Sequence, residues 1–356
     1  MDTSRIVALV MAGGSGTRFW PCSRRSLPKQ FLNFGGDESL LSATVRRLDG
    51  LIPRERVFVI TGAEHAALAQ QHAGVPAANV IAEPEGRDTA ACIGVGALVA
   101  RQVRADAVLV VLSADHLVGD EQRFREAIQR AAELAADSGA LVNLGLRPDR
   151  PATGYGYVEI GERIDQGNPP GFRVRSFREK PDAETAARFV LGGDFLWNSG
   201  IFAFSVTTIL GELQRHLPEL HSALLTLHNP SSFEELARIY PTLQKISIDY
   251  GVMERATNRI VVEANFDWDD LGTFEAVARH AAQSSGHNLA RGSAVFHDAK
   301  GALVINDAPG TVVISGVDDL LVVRTGDTVL VMRRADAERV REVVKELESR
   351  GLTHLL

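Results

Sequence analysis

The chain has 356 residues, 45% of them hydrophobic and 23% charged, with a formal net charge of -7; that length is too great for one ordinary core and suggests a large domain plus a smaller one, or two of similar size. The charge excludes binding of nucleic acid through a basic face, and no apolar run reaches the roughly 18 to 20 residues a membrane span needs. Two cysteines, Cys22 and Cys92, with no CxxC pair, exclude a disulfide framework and a structural zinc site, so a reducing cytoplasm is expected.

The first element is "IVALVMA", a continuous apolar run after Arg5. It has the look of a short signal peptide, but cleavage there would sever the glycine turn from the strand that presents it, so secretion is not expected. "RVFVITG" (56–62) and "AVLVVLSADH" (107–116) repeat the pattern, and segments with helical spacing follow each run, over 64–71, 89–103 and 121–137. Such runs are what strands covered on both faces look like. The alternation predicts an α/β, Rossmann-like domain whose central sheet is mainly parallel, with ligands at the carboxyl ends of the strands. All three runs end there in polar or glycine residues, "GGSG", "TGAEH" and "SADH".

The loop after the first run is neither of the two commonest phosphate loops. A Walker loop needs Lys then Ser or Thr after its second glycine, and a dinucleotide fingerprint needs a third glycine where Phe19 stands. What the loop offers is Gly13, Gly14 and Gly16, whose amides can approach phosphate oxygens, then Thr17 and Arg18, and later Pro28 and Lys29. Amides, a guanidinium fork and an ammonium together suit a triphosphate. The local charge agrees: no acidic residue stands between Asp2 and Asp37, while Arg5, Arg18, Arg24, Arg25 and Lys29 are basic. An acidic protein with one basic loop suits a small anion better than a polymer.

"GGSGTRFWPCSRRSLPKQ" resembles the signature G-G-x-G-T-R-[FL]-x-P-x-S-x-x-x-P-K-Q of the sugar-1-phosphate nucleotidylyltransferases. Further stretches resemble that family in order across about residues 5–275: "EPEGRDTAACIG", "LSADHLV", "TGYGYVEIG", "FREKPD", "FLWNSGIFAF", "SIDYGVME" and "FDWDDLGTF". Three departures stand out: Asp88 replaces the usual asparagine, "AC" the usual "PA", and Ser113 a proline. Within the family, the "EPEGRDTA" and "SIDYGVME" stretches are similar to those of mannose-1-phosphate guanylyltransferases. The resemblance implies transfer of GMP from GTP to mannose 1-phosphate. The alternatives are another nucleotide or sugar 1-phosphate, such as a heptose 1-phosphate, and a non-catalytic regulator that binds nucleotide sugar.

By the same resemblance, Arg18 and Lys29 are the catalytic cations, and Ala12, Gly13, Gly14, Ser15, Gly16, Thr17, Arg87, Asp88 and Ala114 form the nucleotide site. Asp88 is the candidate for the guanine edge, with Arg87 the alternative as a phosphate contact. Asp115 and Asp270 are implied as ligands of Mg²⁺; Asp269 is the alternative to Asp270, which fits W-x-D-[LV]-G. Gly154, Glu179, Lys180 and Asn198 are implied for the sugar phosphate, and His116 supports Asp115 at most. Trp197 is read as core, and His65 and His72 as polar surface. Cys22, near Arg24 and Arg25, is read as a packed thiol, the alternative being a thiol of lowered pKa.

The chemistry is consistent with the absence of any nucleophile–base pair in the sequence. A phosphate monoester, with a second pKa near 6, already carries its nucleophilic oxyanion. What its attack on an α-phosphate needs is positioning and charge neutralisation.

After about residue 280 the texture changes to short β-branched strands with turns at "DAKG", "DAPG", "GVDD" and "TGD". "ADAERVREVVKELESRG" then reads as an amphipathic helix with Val340, Val343, Val344 and Leu347 on one face. The division expected is residues 1–282 as catalytic domain and 283–356 as a small β-rich, β-helix-like domain that ends in a helix, without a strict hexapeptide repeat. The resemblance implies that this domain joins two subunits as a homodimer. No isomerase-like extension follows, so transferase activity alone is expected.

Overall fold

The computed structural model describes residues 2–14, 16–34, 37–281, 283–285 and 287–356; Ser15, one of the residues assigned to the nucleotide, lies outside them. The chain gathers into two compact units, one of residues 1–13, 42–114 and 118–268, the other of residues 14–41, 115–117 and 269–356.

In the first unit, Ile6–Met11 is a strand because six consecutive apolar residues satisfy both faces of a covered sheet. Ile6 to Val10 are at most 1% exposed. It pairs in parallel with Val57–Gly62 on one side and Val108–Ser113 on the other, and Val80–Glu83 extends the parallel run. Among the described residues this sheet has nine strands, in the order Val80–Glu83, Val57–Gly62, Ile6–Met11, Val108–Ser113, Phe195–Ser205, Leu141–Leu146, Arg259–Ala264, Gly171–Arg178, Tyr157–Arg163.

The parallel sheet expected from the alternation is therefore present, and an antiparallel region continues it. Phe195–Ser205 runs antiparallel to Val108–Ser113, to Leu141–Leu146 and, at its start, to Tyr157–Arg163. Tyr157–Arg163 and Gly171–Arg178 are antiparallel because the short link between them can close only a hairpin, not a crossover.

The helix Asp88–Val103 is buried along almost its whole length. Glycines let it approach so closely: a Cβ on Gly96 would lie 2.4 Å from Leu9 Cδ2, and one on Gly94 2.3 Å from Leu224 Cδ1. The helix Glu121–Ser138 is capped at its start by Asp120, which accepts from the Arg123 amide, and ends at Gly139 with φ 60. Its face of Phe124, Ala127, Ile128, Ala131 and Leu134 is buried. Each large apolar side chain so covered contributes roughly 1.5–3 kcal/mol.

The second unit has a core of its own. Phe19 packs on Phe34 and Phe274, with centroids 5.1 and 5.2 Å away, and these join Leu303, Ile305, Leu321, Val323 and Val340. Strands Asn288–Arg291, Leu303–Asn306 and Leu320–Arg324 stack in parallel, with Leu289 opposite Leu303 and Leu303 opposite Leu321. The opposite face of the same strands, Val304 and Val322, packs on Ile314. Two layers with successive parallel turns are the β-helix-like pattern expected. Gly301, Gly310 and Gly316, with φ of 70, 101 and 69, stand in the turns of "DAKG", "DAPG" and "GVDD".

The terminal helix starts later than its sequence suggests. Arg334–Arg339 is a 3₁₀ turn, and only Val340–Ser349 is α-helical. Its apolar face is the one expected: Val340 is fully buried, and Val343, Val344 and Leu347 pack on the Phe19 cluster.

Candidate active site

Lys29 is an unusual lysine, only 6% exposed. Burying an ammonium is costly unless its protons are all engaged. Its Nζ donates to Asp115 Oδ2 at 2.8 Å and to the carbonyl oxygen of Asp270 at 2.6 Å, and it stands 5.6 Å from the centre of the Phe19 ring. Burial opposes the charge on Asp115, yet Lys29 and His116 hold its carboxyl below the usual range; His116 Nε2 is 3.9 Å from Asp115 Oδ1.

Gly16 explains why the loop demands glycine. Its φ is +57, and a Cβ there would meet the Lys29 backbone nitrogen at 2.9 Å. Its carbonyl is tied down by Ser23 Oγ at 2.5 Å. Gly16, Arg18, Lys29 and Asp115 face one cavity of about 240 Å³. Lys29 thus brings the Asp115 carboxylate and the Asp270 backbone carbonyl, widely spaced in the chain, to one ammonium in the second unit.

The two adjacent aspartates divide their roles. Asp269 is 4% exposed and accepts from the Leu271 amide (2.8 Å), Arg279 (2.8 Å) and His280 (3.3 Å). Burial works against its charge, but the His280 and Arg279 hydrogen bonds hold its carboxyl well below the ordinary range. Asp270 is more open, and its Oδ1 accepts from the Gly272 amide at 2.9 Å.

In the first unit, Ala12 and Ala114 follow neighbouring parallel strands. Ala12 donates to Ile60, and the Ala114 amide donates to Met11 at 3.0 Å. Gly13 is exposed and faces open space. Arg87 is turned to Glu85 at 2.6 Å and to the carbonyl of Pro241 at 2.8 Å. Asp88 opens its helix with φ +64, its Oδ1 accepting from the Thr89 amide.

Three of the sugar candidates, Glu179, Lys180 and Asn198, lie in the same unit around one buried carboxylate. Glu179 Oε2 is buried with no hydrogen-bond partner among the described residues, while Oε1 pairs with Lys180 Nζ at 3.2 Å. Lys180 has φ +45, a costly conformation for a lysine. Asn198 donates through Nδ2 to Asp249 Oδ1 at 3.0 Å and accepts from the Gly200 amide at 3.1 Å. Burial and the charge of Glu179 push the Asp249 carboxyl up to about 7.

Two of these neighbours were missed from sequence. Asp249 lies inside the quoted "SIDYGVME", with nothing local to distinguish it from Ser247. Gly156 stands in "TGYGY" beside Gly154: a Cβ on Gly154 would meet nothing, whereas one on Gly156 would strike Glu179 Oε2 at 2.4 Å. The alternating glycines were the available signal.

Other readings resolve simply. Trp197 is core, 4% exposed, with Tyr155 edge-on at 5.0 Å. Cys22 is a packed thiol: burial and Asp307 push it up to about 12, against the lowered pKa considered above. His65 is less exposed than expected, keeping 14% of its side chain at the surface, and His72 is half-buried. No helix among the described residues is long and apolar enough to cross a membrane.

The chain is similar to known proteins in sequence and fold. The model of the nucleotidyl transferase family matches residues 7–285, and that of the MannoseP isomerase/GMP-like beta-helix domain residues 292–347. A mannose-1-phosphate guanylyltransferase of Escherichia coli is 36% identical over 302 residues, 83% of this chain and 64% of the relative. One from Sinorhizobium fredii is 37% identical over 298 residues, 81% and 57% of the two chains. The chain therefore spans under two thirds of the length of these curated relatives. The crystal structure of a mannose-1-phosphate geranyltransferase from Thermus thermophilus matches with a TM-score of 0.88 and 41% identity, over 97% of this chain and 99% of that one.

Proposed function

The chain belongs to the nucleotidyl transferase family, and we propose that it transfers GMP from GTP to α-D-mannose 1-phosphate, releasing pyrophosphate. The observation that carries this reading is Lys29, buried between the Asp115 carboxylate and the Asp270 carbonyl. A phosphate oxygen of the sugar phosphate attacks the α-phosphorus; the bond from that phosphorus to the β-bridging oxygen breaks, and its electrons leave on pyrophosphate. No base is needed, since the attacking oxygen is already ionised near pH 7.

The glycine loop from Ala12 to Thr17, with Ala114, holds the nucleotide; Arg18 meets the departing phosphates, and Lys29 neutralises the transferring one. Asp88 is assigned to the guanine edge, with Arg87 the alternative as a phosphate contact. Asp115 and Asp270 would hold Mg²⁺, which prefers one or two carboxylates and takes its other oxygens from phosphates and water. Bound there, Mg²⁺ supplies charge neutralisation for the phosphates. The names of the relatives support GTP and mannose 1-phosphate as the pair.

The buried, unpartnered Oε2 of Glu179 supports a sugar-hydroxyl acceptor; Asn198 assists, Lys180 takes the sugar phosphate, and Gly154 gives a backbone contact. An unmet polar atom of this kind rejects the wrong epimer by roughly 1–3 kcal/mol. Two further elements of the reading are a cytoplasmic homodimer joined through residues 283–356, and a catalytic domain of residues 1–282. Asp88, where the family has asparagine, favours a second reading in which another base is preferred.

The test is pyrophosphate release from purified protein with Mg²⁺, each nucleoside triphosphate and a panel of sugar 1-phosphates. GTP with mannose 1-phosphate should turn over fastest. A faster pair would replace this substrate assignment, and no turnover with any pair would refute transfer altogether.

A further inference from the structure

The cavity that holds Arg18 and Lys29 has one more wall, and it comes from the C-terminal helix. Arg341 lines the same 240 Å³ space as Gly16, Arg18, Lys29, Asp115 and Gly272. Its position is set by packing. Val340, immediately before it, is fully buried, and Val343, Val344 and Leu347 repeat that contact along one helix face against the Phe19 cluster.

The charges do not balance. Arg18, Lys29 and Arg341 contribute three positive charges to the lining, against one negative charge from Asp115, which is already paired to Lys29. Neither Arg18 nor Arg341 has a hydrogen bond or ion pair among the described residues, whereas Arg339 and Arg350, near the two ends of the same helix, are each paired with a glutamate. Burial and the charge of Arg18 make protonation of Arg341 less favourable, and Glu338 offsets this only in part.

Both guanidiniums are exposed, so water meets their charge; set on the lining of one small cavity beside Lys29, they offer forked donors that suit an anion with several oxygens. The volume is below the roughly 300 Å³ at which pockets for whole drug-sized ligands begin, which suits the end of a polyphosphate rather than a complete nucleotide.

We propose that Arg341 is a second guanidinium of the phosphate cradle, gripping together with Arg18 the pyrophosphate portion of the nucleotide. The inference rests on the nucleotidyl-transfer reading and adds to it that the C-terminal segment supplies a substrate-binding residue. It follows that shortening the chain before residue 341 impairs chemistry as well as stability.

The experiment measures pyrophosphate binding to the full-length protein with Mg²⁺ by calorimetry, and the KM for pyrophosphate in the reverse reaction, for wild type, Arg341→Ala, Arg341→Gln, Arg341→Lys and the control Arg350→Ala. Both neutral variants should bind pyrophosphate ten- to a hundredfold more weakly, with the KM for mannose 1-phosphate unchanged. Lysine should restore part of the loss, and Arg350→Ala should match wild type. Circular dichroism identifies any variant that has not folded, and Arg341→Gln, which keeps a polar stem, gives the same comparison if alanine is not tolerated. Pyrophosphate affinity within twofold of wild type in the folded neutral variant overturns the role of Arg341 while leaving transfer intact. Wild type that neither binds pyrophosphate nor turns over removes both.

Discussion

Lys29 holds Asp115 through a 2.8 Å hydrogen bond in which the two side chains are unequally hidden: 8% of the lysine is exposed and 34% of the aspartate. The cation is thus fixed from inside while the carboxylate keeps an open flank. A pair built only for stability gains nothing from that openness, since water on one side weakens the attraction. A carboxylate that must also meet a metal–phosphate complex requires it. Asp115→Asn preserves shape and removes charge, so turnover should fall on the order of 10²- to 10³-fold. Lys29→Met should cost a similar factor. Single-turnover rates check both, and a loss under fivefold in Asp115→Asn would take that residue out of the metal site.

Asp269 and Asp270 are adjacent, yet their variants should fail differently. Asp269 satisfies a backbone amide, Arg279 and His280 from a buried position. Asp269→Ala leaves those donors unmet and should lower stability by about 1–3 kcal/mol. Asp270→Asn should abolish turnover while the melting temperature stays within a degree or two. Melting curves and pyrophosphate release on the same preparations give the comparison. The reverse pattern would exchange the two assignments.

Glu83 gives a pH dependence of folding. It is 8% exposed and accepts from the Tyr240 hydroxyl at 2.9 Å. Burial pushes its carboxyl up to about 7, and the tyrosine bond opposes the shift. In the unfolded chain it ionises near 4.3. Between those values the native state holds a proton that the unfolded state has lost, so the contribution is complete below about pH 4 and declines as pH rises toward 7. Glu83→Gln should match wild type near pH 4 and exceed it at pH 8, by on the order of 1–3 kcal/mol. A difference between the two proteins that stays constant from pH 4 to 8 would contradict the buried, protonated carboxyl.

Legibility from sequence followed the range of the interactions. The glycine loop was legible as a tight turn because its glycines stand at short spacing, and the structure adds why Gly16 tolerates no side chain. Parallel strands showed as unbroken apolar runs. The insertion of Phe195–Ser205 between Val108–Ser113 and Leu141–Leu146 did not show, because pairing between distant segments leaves no local periodicity. The helix face from Val340 to Leu347 was legible, but its first turn was not: residues 334–339 tighten into a 3₁₀ turn that side-chain spacing alone cannot distinguish from α. Asp249 escaped notice for a related reason. It opens a short π-helical stretch, Asp249–Met253, and only the fold sets it against Asn198.

Asp249 yields the last prediction. Asn198 donates to its Oδ1, and burial with the nearby Glu179 charge pushes its carboxyl up to about 7. Near neutral pH the Glu179 and Asp249 carboxyls therefore carry less than two full negative charges, which eases the approach of an anionic sugar phosphate. Raising the pH through 7 ionises Asp249 and adds repulsion, so the KM for mannose 1-phosphate should rise from pH 6 to pH 8 while that for GTP stays level. Asp249→Asn keeps the polar shape without the titration and should flatten the profile. Asp249→Ala should raise the sugar KM about tenfold by leaving Asn198 without its acceptor. A purely structural role for Asp249 would instead lower kcat and melting temperature together and leave the wild-type pH profile in Asp249→Asn, and that combination would refute a part in sugar binding.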